Sequence, residues 1–432
     1  MKKTRILVLM GLSLSVLLSC KKDKSEPLPP PPPPPDLTPV ITGISPSSGG
    51  YNTSLTITGT HFSSTASSNT VSIGGITVPV TAATDSQLTV TVPQLLSTGG
   101  GAVVVTTSHG KDTGDHFTYS PDIYIVGREK GTDNISRPKL WINGTATSLP
   151  IGANGGEATS VFVTTTDVVV GGIEETSTSS EPRVWLNGVS SSLPHLGQGG
   201  QIRGVWLNGS NIYAAGFAYG TSGWSLARTW LNSSGTNLTS GSASDANAMG
   251  IVMVGADQYV CGSEDIGGRS VARLWRNGVP TSLSNSSNNC YAVGIAVSGT
   301  DIYVVGYEML STGERVKVWI NGVETTYAGE ANLRDRPNSI TVYKGDVYVA
   351  GNDESMLSGM KRPKFWKNGV AYVLEPTSYG DAKAIAVCGE NIYVAVAGNL
   401  SSGPRVKVYK NGTPTEITSG VTDAYPSGIA LR

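Results

Sequence analysis

From residue 122 to the C-terminus the sequence repeats itself with a period near 45 residues, and few architectures accept such a period. One segment, Asp122-Ile123-Tyr124-Ile125-Val126-Gly127, returns at Asp167, Asn211, Asp257, Asp301, Asp346 and Asn391. A second, Lys139-Leu140-Trp141-Ile142-Asn143-Gly144, returns centred on Trp185, Trp230, Trp275, Trp319, Trp366 and Tyr409, in steps of 44, 45, 45, 44, 47 and 43 residues. A third precedes the first in each unit, as in Val293-Gly294-Ile295-Ala296-Val297, and a fourth follows the Asn-Gly pair, as in Thr281-Ser282-Leu283. All four are short, apolar in alternation and bounded by turn residues, so each unit reads as four strands. A helical solenoid is excluded, because no unit has the room or the 3.6-residue pattern for a helix pair. Four strands at this period predict propeller blades.

The ends of the array set the blade count. The first unit begins at Asp122 without an innermost strand, and the chain ends with Tyr425-Pro426-Ser427-Gly428-Ile429-Ala430-Leu431-Arg432, which is such a strand and nothing more. Docked beside the Asp122 segment, it completes blade one, closes a ring of seven and leaves no sheet edge open. Asn-Gly joins the outer two strands because both residues tolerate positive φ. Blade three carries Asn232-Ser233 there and blade two has Val169 for Tyr, so these depart from the pattern. The repeat resembles a family of bacterial propeller repeats with Asp-x-Tyr-Val-x-Gly and Tyr-Trp-x-Asn-Gly signatures, which implies the fold and an extracytoplasmic setting but no activity.

Residues 38–120 hold shorter alternating runs, among them Leu55-Thr56-Ile57, Val71-Ser72-Ile73, Leu88 to Val92 and Val103-Val104-Val105. Period-two strands split by Gly, Ser and Pro imply a small antiparallel sandwich. Pro39, Ile41, Ile44, Pro46, Gly49, Gly50, Leu55, Ile57, Gly59 and Phe62, then Gly74-Gly75, Val92-Pro93, Phe117 and Tyr119, resemble the IPT/TIG immunoglobulin-like family. That resemblance implies a spacer or adhesion module beside a larger domain. The predicted fold is all-β throughout: an Ig-like β-sandwich over 38–120, then a seven-bladed β-propeller over 121–432 closed by the C-terminal strand.

Lys2, Lys3 and Arg5 precede an apolar stretch, Ile6 to Ser19, that is too short to span a bilayer. Leu17-Leu18-Ser19-Cys20 resembles the bacterial lipobox, which implies a signal peptide over 1–19, diacylation of Cys20 and anchoring in the membrane. Residues 20–37 form a tether in which Pro29 to Pro35 stand as a polyproline rod, roughly 20 Å long at ~3.1 Å per residue. The expected location is the outer membrane, facing the cell surface. Without residues 1–19 the chain carries 28 basic against 32 acidic residues and no basic run, which argues against nucleic acid as a partner.

Chemistry is sparse. His61, His109 and His116 fall in the sandwich with nothing to bring them together, and His195 stands alone in the propeller. Cys261, Cys290 and Cys388 show no CxxC spacing and read as small buried residues, with export permitting a Cys261–Cys290 disulfide that spacing does not establish. No metal site, cofactor site or catalytic constellation emerges. Aligning the blades places Glu157, Gln201, Asn247, Tyr291, Arg336, Asp381 and Tyr425 one position before each innermost strand, at the mouth of the central channel. Mixed polar and aromatic groups there suit a sugar or a peptide, and equally they need only solvate the rim. A second series, Glu129, Glu174, Glu264, Glu308 and Asp353, faces Lys139, Arg183, Arg273, Lys317 and Lys364 at cross-strand spacing, with Ala218 and Gly398 interrupting it. Recurring pairs of this kind are structural, because catalysis needs a unique constellation.

These features favour a monomeric, non-enzymatic surface protein that binds an extracellular glycan or protein through the long-loop face. An extracellular polysaccharide hydrolase or lyase, and a purely structural spacer or adhesin, are the alternatives.

Overall fold

The computed structural model describes residues 35–432 apart from 95–96, 241–244, 286, 377–378, 401–402 and 419–421. The expected signal peptide, Cys20 and most of the tether therefore lie outside the described residues. Among those described, no helix is long and apolar enough to cross a membrane. Among the described residues the only helical element is a single 3-10 turn at Ala66–Ser68.

The first part is a two-sheet sandwich. Val40–Ser45, Ser54–Thr60, Gln87–Thr91 and Val80–Ala83 form one sheet, and Gly110–Tyr119, Gly100–Thr107, Thr70–Ile73 and Ile76–Val78, with the two-residue Ser48–Gly49, form the other. Strict alternation puts Leu55, Ile57, Val71, Ile73, Leu88, Val90, Val103 and Val105 between the sheets, where all are solvent-free.

Seven antiparallel four-stranded blades follow, five of them separate sheets and two joined into one eight-stranded sheet by the single parallel bridge Glu314↔Arg334. Their innermost strands are Ala424–Leu431 for blade one, then Gly156–Val163, Gly200–Asn208, Ala246–Val254, Cys290–Ser298, Leu333–Tyr343 and Gly380–Cys388. Each packs on the next, and Ala424–Leu431 touches both Gly380–Cys388 and Gly156–Val163, so the ring is closed. The C-terminal strand pairs with Ile123–Lys130 in antiparallel register from Ile123↔Leu431 to Glu129↔Ala424. Two further backbone bonds between Asp122 and Arg432 extend that seam. The edges that a linear array would leave open are thus paired.

The repeated residues have physical roles. The third-strand Trp141, Trp185, Trp230, Trp275, Trp319 and Trp366, with Tyr409, are buried between blades. The turn asparagines adopt φ near +50°, including Asn232, whose hairpin forms although Ser233 replaces glycine. Every one of these seven asparagines also reaches back to the start of the second strand. Its side-chain oxygen accepts the backbone amide there, and its Nδ2 donates to the residue just before, which is Asp122, Asp167, Asn211, Asp257, Asp301, Asp346 or Asn391. The Asp/Asn and Asn-Gly signatures are therefore two halves of one staple per blade.

The sandwich docks on the face carrying the short turns. Tyr343, at the end of an innermost strand, donates to the Ser97 carbonyl at 2.9 Å. Gly99 lies so close to Gly389 that a Cβ on it would sit 2.7 Å from the Gly389 Cα. The sandwich core runs on into Ile125, Trp141, Cys388 and Tyr393. The long-loop face lies at the other end of the innermost strands.

Candidate binding site at the channel mouth

Every innermost strand carries a register shift at the same place, between Ala158 and Ser160, Ile202 and Gly204, Ala248 and Gly250, Ala292 and Gly294, Pro337 and Ser339, Ala382 and Ala384, and at Pro426 to Gly428. A β-bulge of this kind leaves one residue out of the ladder and re-aims its side chain. The bulged residues are Thr159, Arg203, Met249, Val293, Asn338, Lys383 and Ser427, and all seven line the central channel. A cavity of about 240 Å³ reaches down to Phe162 and Trp206, whose rings lie 4.4 Å apart. Above it, a cavity of about 370 Å³ adds Arg128, Glu157 and Tyr425. A third, of about 340 Å³, shares Lys383 and Tyr425 and is completed by Lys361, Tyr379, Asp381, Ala397 and Pro404.

The seven residues picked out by blade alignment sit two positions earlier, inside the innermost strands and not before them. The structure brings Glu157 and Tyr425 to the outer cavity and Asp381 and Tyr425 to the third one. Gln201, Asn247, Tyr291 and Arg336 line none of these three cavities. Tyr291 instead stacks on Tyr307 with centroids 5.0 Å apart. Arg336 is engaged by both carboxylate oxygens of Glu314, at 2.5 and 2.7 Å.

Both channel carboxylates already have cationic partners. Glu157 accepts from Arg128 Nη1 at 2.9 Å and from Ser427 Oγ at 3.0 Å. Asp381 accepts from Lys361 Nζ at 2.5 Å, and from Asn338 and Asn352 at 2.8 Å each, while Lys383 Nζ lies 2.7 Å away. Burial pushes the Asp381 carboxyl up, but Lys383 and Lys361 outweigh it and hold the group below the usual carboxylate range. Arg203 differs. Its guanidinium lies 5.9 Å over the Phe217 ring and makes no hydrogen bond or ion pair with any described residue. Burial lowers its pKa, with Glu157 and Tyr219 opposing, yet a guanidinium remains charged at any working pH.

The second acidic series is structural in its geometry. Lys139 meets Glu129 at 2.9 Å, Arg273 meets Glu264 at 2.9 Å and Lys317 meets Glu308 at 3.0 Å, while Lys364 meets Asp353 at 3.2 Å and Arg183 meets Glu174. Where Gly398 interrupts the series, Lys407 finds Glu375 instead at 2.8 Å, and where Ala218 does, Arg228 bonds Asn237. Cys261, Cys290 and Cys388 are buried free thiols, without the disulfide that export permits.

Arg128, Arg203, Lys361, Tyr379 and Lys383 escaped the sequence reading. A signal for the bulged residues existed: that column holds seven different residue types in seven blades, beside a column of Gly, Ser and Ala. Divergence at one position of a repeat marks what the scaffold does not need.

Residues 39–128 match the IPT/TIG domain family. No curated protein matches the chain. Among solved structures, a structural genomics protein of unknown function from Bacteroides thetaiotaomicron is 13% identical, covering 77% of this chain and 99% of its own, with a TM-score of 0.34. An auxiliary nutrient binding protein from the same organism is 12% identical, covering 76% of this chain and 98% of its own, with a TM-score of 0.32. The β-propeller domain of the Trilobed protease from Pyrococcus furiosus is 12% identical, covering 69% and 92%, with a TM-score of 0.44.

Proposed function

We propose that this chain is a surface lipoprotein, anchored through Cys20, that binds an extracellular glycan or protein at the channel mouth and performs no chemistry on it. The observation that carries this reading is the bulged ring: seven dissimilar side chains on a seven-fold repeated scaffold, opening into a cavity of ligand size. Rigid frames that carry dissimilar side chains at their exposed positions suit recognition. The sandwich packs at the other end of the innermost strands, by the short turns and away from the mouth.

A hydrolase of the two-carboxylate kind needs one carboxyl held protonated and a second free to act as base or nucleophile. Here Asp381 is held low between two lysines and Glu157 is shared between Arg128 and Ser427, which favours binding over turnover. The binding candidates are Glu157, Asp381 and Tyr425 together with Arg203 and Lys383. The reading requires no cofactor and no nucleic acid, and it takes the protein to be a monomer.

The test is a glycan array with the detergent-solubilised full chain, run beside a reducing-end assay and a pull-down of extracellular proteins. Retention of a glycan or protein without new reducing ends, lost in Tyr425→Ala, is the expected result. Turnover that disappears in Glu157→Gln or Asp381→Asn would show the protein to be an enzyme.

A further inference from the structure

The outer cavity has an imbalance of charge that the fold does not resolve by itself. Arg128, Arg203 and Lys383 line it against a single carboxylate, Glu157. The adjoining cavity adds Lys361 and Asp381, giving four cations and two carboxylates in all. Glu157 is held by Arg128, and Asp381 by Lys361 and Lys383, so these carboxylates are consumed within the wall. Arg203 is left over, a planar donor fork inside a ring of protein, with only a distant aromatic face beside it.

Arg203 is exposed to the solvent of the channel, so its guanidinium is hydrated in the free protein and all of its donors are available to an incoming anion. The bulge in Gly200–Asn208 is what aims it inward: the ladder passes from Ile202 to Gly204 and leaves Arg203 unpaired between them, at the channel wall. Arginine suits a planar or tetrahedral oxyanion that takes two parallel hydrogen bonds. Around the same opening stand Tyr425, shared by both cavities, and Tyr379, about half exposed at the far wall. Aromatic side chains beside a polar pocket offer apolar faces to the C–H side of a sugar ring.

Building on the reading that the ligand sits at the channel mouth, we infer that this ligand is an anionic saccharide, its carboxylate or sulfate group held by Arg203 and its sugar rings lying along Tyr425 and Tyr379. Lys383 adds long-range attraction while remaining paired to Asp381. Neutral sugars lack the group that Arg203 requires, and they bind more weakly at the same place.

Isothermal titration of the detergent-solubilised full chain tests this with four probes: an oligogalacturonate, its methyl ester, a sulfated galacto-oligosaccharide and the neutral galacto-oligosaccharide. Either acidic probe should bind at least about ten times more tightly than its neutral counterpart, and which of the two wins identifies carboxylate or sulfate. Arg203→Gln should weaken the acidic probe roughly 10- to 100-fold, the loss of one charge-assisted bidentate contact, with little change for the neutral one. Arg203→Lys should recover part of the difference, and raising salt should narrow it. Unchanged thermal unfolding in both variants separates loss of contact from loss of fold. Equal affinity for charged and neutral probes, indifference to Arg203→Gln, or Arg203-dependent capture of acidic peptides alone would overturn the inference. Neutral sugar binding lost in Tyr425→Ala would then still uphold the channel mouth as the site, whereas failure of every glycan and protein ligand there would remove both.

Discussion

Asn321 Nδ2 donates to Asp301 Oδ1 at 2.8 Å, while Asn321 Oδ1 accepts the Ile302 amide at 2.9 Å. One side chain thereby ties the outer hairpin of blade five to the start of its second strand, 20 residues earlier in the chain. The backbone at Asn321 has φ 51°, which glycine also accepts. Asn321→Gly should therefore keep the turn and lose only the staple, at a cost of about 1–3 kcal/mol for two hydrogen bonds. Asn321→Ala should cost more, because it adds left-handed strain. Parallel urea titrations measure the difference, and equal midpoints for wild type and Asn321→Gly would show the staple to be idle.

Closure of the ring depends on the strand Ala424–Leu431 and on Arg432 beyond it. Deleting 424–432 strips Ile123–Lys130 of its partner and uncovers the apolar flanks of two neighbouring blades. The truncated chain should aggregate or lose cooperative unfolding, since an open strand edge is a template for association. Size-exclusion chromatography and thermal melts report this. A monomeric truncated protein that melts like the wild type would mean the ring holds without its last strand.

Lys364 is buried with Asp335 and Asp353, and both carboxylates are only 2% exposed. Lys364→Met leaves Asp335 without its partner and should destabilise by about 3–5 kcal/mol at neutral pH. The sign of the pH effect follows from Asp335. Burial pushes its carboxyl up, Lys364 pulls it down, and the net direction is upward. A raised folded-state pKa means that its contribution to stability is largest in acid and is lost as pH rises through that pKa. Without Lys364 the rise is larger, so the variant's deficit should shrink between pH 7 and pH 5 as Asp335 takes up a proton. A deficit that stays constant with pH would place the cost in packing and not in charge.

The three cysteines of the propeller should be silent to thiol reagents until the protein unfolds. Burial pushes the Cys261 thiol up to about 12 and the Cys290 and Cys388 thiols up to about 11, so almost no thiolate exists at neutral pH. A chromogenic disulfide reagent should titrate none of them in buffer and all three in denaturant. Rapid native labelling at Cys290 would show that the strand Cys290–Ser298 opens to solvent.

Much of this architecture was legible along the chain. The spacing of Trp141 to Tyr409, the missing innermost strand before Asp122 and the spare strand at Tyr425 specify the blades and how they close, because strand period and hairpin chemistry are local properties. The alternation of acid and base between Glu129 and Lys139, and its equivalents, was equally local, since cross-strand neighbours follow from register.

The candidate site was legible only in part. Alignment of the blades led to Glu157, Asp381 and Tyr425, which do reach the cavities, but also to Gln201, Asn247, Tyr291 and Arg336, which do not. Strand alternation alone cannot locate a bulge, and one inserted residue moves the channel-facing position along the strand.

What the linear chain determined by itself was the repeat, the strand order and the chemistry of the turns, all set by contacts within a few tens of residues. The tertiary fold decided which residue of each innermost strand faces the channel, that the carboxylates of Glu157 and Asp381 are neutralised there, and that Arg203 is not. Those outcomes depend on side chains from different blades meeting across a closed ring, and no local pattern encodes such a meeting.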